Sequence, residues 1–98
     1  MDSTAQPRIT PPETLAALEE TMLRRVTACE PGKTIDPTEI ARALAGPAGD
    51  AWGALMPAVR RIAVRLANEG RLAVYRKGKQ ADPNDFKGLY RLGPVRQD

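Results

Sequence analysis

"MPAVRRIAVRLANEGRLAVYRKGK", residues 56–79, changes its period once, at Gly70. Before the glycine, Val59, Ile62, Ala63 and Leu66 recur at three- and four-residue spacing, the pattern of a helix with one apolar face. After it, "RLAVYRK" is short and rich in strand formers. Gly70 suits the left-handed position just past a helix end. Helix, glycine stop, strand is the expectation for this stretch.

Upstream, Asp50 is the expected N-cap of a segment that runs to Glu69. On a wheel of about 100° per residue, Trp52, Leu55, Met56, Val59, Ile62, Ala63, Leu66 and Ala67 fill one arc of about 140°. Pro57 interrupts it. Either the helix bends there, or a short turn at 51–55 gives way to a new helix with Pro57 near its start. "TIDPTEIARALAG", residues 34–46, carries a helix start: Asp36 as cap, Pro37 at the first position and Glu39 three residues on to complete a capping box. Ile40, Ala41 and Leu44 make a short apolar stripe, Gly46-Pro47 stops it, and Ile35 has the place of a very short strand. A first helix begins at Thr10 or Pro12 and ends at "EPG", 30–32. Leu15, Leu18, Met22, Leu23 and Val26 form its apolar side, and Glu19, Glu20, Arg24 and Arg25 fill the other.

Downstream, "GLYRLG", 88–93, is expected to pair antiparallel with "RLAVYRK", with Tyr75 and Tyr90 facing each other across the hairpin. The connection "GKQADPNDFK", 78–87, is rich in glycine, proline and charge and reads as a protruding loop. Residues 1–11 and 94–98 read as tails around a single domain at 12–93.

This order is that of an α+β, mainly α, winged helix-turn-helix: three helices plus a C-terminal two-stranded hairpin wing, with 34–35 as a short first strand. The pattern "TIDPTEIARAL", then "W…MPAVRRIAVRLANEGRLAVYRKGK", then "GLYRLG" resembles a family of small, uncharacterised bacterial proteins, a domain of unknown function with a winged-helix fold. The resemblance covers roughly residues 14–93. It implies the architecture and carries over no activity, ligand or cofactor.

Composition narrows the classes of function. The single cysteine, Cys29, rules out an internal disulfide framework and a zinc site built on paired thiolates, and it suits a reducing compartment. No apolar run reaches the ~18 residues needed to span a bilayer, and the polar start lacks the apolar stretch of a secretory signal; a cytoplasmic protein that does not enter membranes is the expectation. With no histidine there is no Ser-His-Asp triad and no Cys-His pair, and no two acids are set in an apolar cleft, so no catalytic residue is assigned. "PGKT", 31–34, lacks the upstream glycine of a phosphate-binding loop, since Thr27 stands there, and reads as a turn. "DPND", 82–85, reads as a turn rather than a calcium loop, and neither metal nor cofactor is expected. Trp52 reads as a core anchor.

Charge is what points to a partner. The net charge is +3, yet residues 1–49 sum to −2 and residues 50–98 to +5. Arg60, Arg61, Arg65 and Asn68 share the side of the third helix opposite its apolar arc, with no acid among them and Glu69 apart. Arg76, Lys77 and Lys79, with Gly78, would project from the wing beside a phosphate backbone, although Asp82 and Asp85 in the same loop would repel it unless folded away. These seven residues are the candidate DNA-binding set. The expected function is binding of duplex DNA, in a transcription-related role. The alternative is a protein-interaction module whose basic face docks an acidic partner, and a solvated helix face is the bland reading of the arginines. Monomer and homodimer are equally open.

Overall fold

The computed structural model describes residues 11–30, 32–46 and 51–95. Helices α1 (Pro12–Ala28), α2 (Pro37–Ala45) and α3 (Met56–Asn68) precede strands β1 (Ala73–Arg76), β2 (Lys79–Ala81) and β3 (Arg91–Gly93). Thr10, the Asp50 cap and all but the innermost residues of both tails lie outside the described residues.

Local chemistry explains where each helix begins and ends. α1 opens on Pro11-Pro12 without a side-chain cap. At α2 the Asp36 carboxylate accepts from the Thr38 amide at 2.9 Å and the Thr38 hydroxyl at 2.8 Å, with Pro37 filling the first turn. The capping box is not completed: the Glu39 carboxylate turns to Arg25 of α1 at 3.5 Å. Of the two readings of Pro57, the second holds. A 3₁₀ turn at Ala51–Leu55 runs into α3, which takes Pro57 in its first turn, where the missing N–H costs no helical bond. α3 ends at Gly70, φ +76°. There the Arg71 amide bonds the Leu66 carbonyl and the Gly70 amide bonds that of Ala67, both at 3.0 Å, the paired closure that a left-handed residue after the cap permits.

The sheet departs from the two-stranded expectation. Its order is β2-β1-β3, and β1 does pair antiparallel with β3, Val74 opposite Leu92. Ile35 extends the far side by exchanging two backbone bonds with Leu92, 2.7 and 3.0 Å, in the position foreseen for a first strand. The added element is β2. Residues 79–81 do not loop out; they fold back on the outer edge of β1 through the two-residue turn Lys77-Gly78, with φ +52° and +81°. Such a turn needs positive φ at both positions, and a lysine in the first, where Asn, Asp or Gly is usual, does not announce it. Consequently Tyr75 stands opposite Gln80 and Arg91, while Tyr90 packs on Phe86 with centroids 5.1 Å apart. Tyr75 and Tyr90 are therefore not directly opposed across the hairpin, contrary to the expectation from sequence.

The core lies between the helices and one sheet face. Leu18, Met22 and Val26 of α1, Ile40 and Ala41 of α2, and Val59, Ile62, Ala63 and Leu66 of α3 meet Val74 and Leu92, with Phe86 closing one side. Each buried Val, Leu, Ile, Met or Phe side chain here stabilises the fold by roughly 1.5–3 kcal/mol. Trp52 is half-buried at the margin of this core, its ring 4.6 Å from the Arg42 guanidinium carbon. No helix among the described residues is long and apolar enough to cross a membrane.

Candidate nucleic-acid interface

The third helix presents two polar stripes, and each has an occupant. Arg60, Val64 and Asn68, spaced by four, form one. The Arg60 guanidinium donates to the Phe86 carbonyl at 2.8 Å and lies over the Phe86 ring at 4.0 Å and the Tyr90 ring at 5.8 Å. Such a cation over an aromatic face is attracted by the ring quadrupole. Eight residues on, Asn68 and Asn84 exchange amide bonds of 3.0 and 2.9 Å, and Asn68 also donates to the Val64 carbonyl at 2.9 Å. The segment 84–86 thus runs along this stripe antiparallel to the helix, and two of the candidate residues hold it there.

The second stripe belongs to carboxylates. Arg65 donates to Glu19 of α1 in a very short contact and to Glu69, one turn on, at 3.1 Å. Arg71 joins the same two acids at 3.6 and 3.4 Å, which makes a four-charge cluster with no net charge. Its hydrogen bonds to the Glu19 and Glu69 carboxylates hold the Arg65 pKa above its ordinary value, so the group stays a cation whose charge is balanced locally. Arg61 is exposed and has no ion pair among the described residues, but it borders a depression with Leu15, Ala16 and Glu19. It looks over α1. The uniform basic face drawn on a helical wheel is therefore divided among three separate surroundings, because Glu19 and the 84–86 segment are remote in the chain and Glu69 reaches back across one turn.

The wing cations are brought together. Arg76 closes β1, Lys77 and Gly78 make the turn, and Lys79 opens β2, with Arg76 and Lys79 as cross-strand neighbours. Arg76 donates to the Leu89 carbonyl at 2.6 Å, passing over Gly88. The Lys77 and Lys79 side chains are exposed and have no hydrogen bond or ion pair among the described residues. Asp82 and Asp85 sit beyond the opposite end of β2. The Asp82 carboxylate accepts from the Asn84 amide at 2.9 Å and its carbonyl from the Asp85 amide at 3.1 Å, the turn foreseen for this segment. The acids are thereby kept at the base of the hairpin and the cations at its tip.

Two features escaped the linear reading. Arg91 faces away from the core beside Leu92, donating from Nε to the Thr34 hydroxyl at 2.7 Å and from a terminal nitrogen to the Thr34 carbonyl at 3.3 Å. The alternation Leu89, Tyr90, Arg91, Leu92 carries that signal. A cavity of about 410 Å³ has no such signal, because it is assembled from the start of α2, the start of α3, the hairpin turn and the run into β3.

Three helices followed by a three-stranded antiparallel sheet, with cations gathered at the protruding hairpin, define a small α+β domain of winged-helix-like form. The chain belongs to the family described as "Protein of unknown function (DUF3253)", whose profile matches residues 15–95. No curated protein sequence matches it.

Proposed function

We propose that this chain is a binding module rather than an enzyme, and that it contacts duplex DNA through the backbone phosphates, chiefly from the hairpin tip. The observation that carries the reading is Lys77. A non-glycine residue at φ +52° costs about 1–2 kcal/mol, and here that position holds an exposed cation at the apex, flanked by Gly78 and Lys79. A lysine suits phosphate contact as a mobile point charge, which positions a duplex without reading its bases. Arg60 and Arg65, engaged internally, contribute to shape rather than to contact, so the binding is governed by charge more than by sequence. A transcription-related role follows only if a particular duplex is preferred.

Anisotropy of a labelled duplex at several salt concentrations tests the proposal. Lys77→Gln together with Lys79→Gln should weaken binding and flatten the salt dependence by about 2 units of log–log slope, while Arg65→Gln leaves both unchanged. No duplex binding at low salt, or a double variant that binds like the parent, would sink the idea. The same cations suit an acidic protein surface. Capture of one partner from nuclease-treated lysate, lost in the double variant, would favour that rival.

A further inference from the structure

We infer that the cavity between the hairpin turn, the α2 and α3 starts and the run into β3 is a binding site for a small amphiphilic anion: an apolar body bearing one carboxylate. The inference does not rest on the duplex reading, although Arg76 and Lys77 belong to both sites; octanoate binding by a chain that binds no duplex, or the reverse, separates them. The volume of about 410 Å³ falls in the range of small-molecule sites and equals on the order of a dozen waters. A small acid with a short apolar body fits within it.

The lining dictates the chemistry. Met56, Leu89 and Tyr90 supply apolar surface, and Leu89 is 89% exposed, the one large hydrophobic side chain among the described residues left open to that degree. An apolar body lying against these three would remove that surface from water, which is the general driving force for such binding. Arg76, Lys77 and Arg91 supply positive charge. Two of them are already oriented: Arg76 by the Leu89 carbonyl and Arg91 by Thr34, each with further N–H donors to offer. The single acid of the wall, Asp36, is turned onto Thr38 as the α2 cap, so three cations face one committed carboxylate and the site favours an anion. The Tyr90 hydroxyl is buried with no hydrogen-bond partner among the described residues, while its ring forms part of the cavity wall.

Octanoate, octanol and octylammonium share one apolar body and differ in charge, so they separate the two parts of the claim. Each is titrated into the ¹⁵N-labelled full chain with amide shifts as the readout. Octanoate should shift amides at 36, 38, 56, 75–77 and 88–91 and bind about tenfold tighter than octanol, with octylammonium weakest. Lys77→Gln, at an exposed site that leaves the fold intact, should weaken octanoate several-fold and leave octanol unchanged; Arg91→Gln should do the same. Equal binding of all three, shifts scattered over the surface, or no shift at millimolar octanoate would overturn the inference.

Discussion

A guanidinium acts on whatever carboxylate, carbonyl or ring it reaches first, and Arg65 reaches Glu19 and Glu69 before any ligand. For that reason Arg65→Gln is expected to lower the thermal midpoint slightly, by loosening the α1–α3 contact, with no loss of duplex affinity. Scanning calorimetry beside anisotropy separates the two. At Lys77 the balance is reversed. Lys77→Gly relieves the positive φ and should stabilise the domain by about 1 kcal/mol while weakening duplex binding, a trade visible in one denaturation series. Gly88 is under two constraints at once: φ +81°, and an added Cβ would lie 3.3 Å from Arg76 Nη1. Gly88→Ala should therefore cost about 1–2 kcal/mol and displace Arg76 from the Leu89 carbonyl, which urea denaturation and the Arg76 side-chain NMR signals would register.

At the scale of elements, the start of α2 carries a pH signature. Burial pushes the Asp36 carboxyl up, but the Thr38 amide and hydroxyl, with Arg91 and Arg42 nearby, more than offset it and hold the pKa below the ordinary 3.8. A depressed folded-state pKa means that the stabilisation is fully present above the unfolded value and is lost as pH falls through the folded one. Asp36→Asn should thus be less stable than the parent at pH 6, with the gap closing below about pH 4. A gap that stays constant down to pH 2.5 in urea titrations would show that the carboxylate charge contributes nothing to the cap. The same segment explains what was legible at this scale. Asp36, Pro37 and Gly70 act on their own neighbours within a few residues, so their roles can be read along the chain. Glu39 leaves the capping box because Arg25, fourteen residues away, competes for its carboxylate. The hairpin β1–β2 was missed because its turn relies on a lysine in a conformation that lysine seldom adopts.

Across the whole molecule, folding sorts the charges. The acids of α1 and the end of α3 neutralise Arg65 and Arg71, those of the 82–85 turn stay at the hairpin base, and Arg76, Lys77 and Lys79 cluster at its tip. Three phosphate contacts of this kind imply a log–log salt slope of about −3 for duplex binding. A measured slope near zero would mean that these cations do not meet phosphates, whatever the affinity.

The three helices, the Asp36 cap and the Gly70 stop were legible in the sequence because each rests on periodicity or on chemistry within a few residues, and the β1–β3 pairing because both segments are short runs of strand formers. The candidate site was legible only at the wing. Which arginines remain available, where β2 lies and how the cavity is assembled were decided by tertiary structure. A side chain's electrostatic partner is whichever group packing brings within about 4 Å, and for Arg60, Arg65 and Asn68 packing brought groups 26, 46 and 16 residues away.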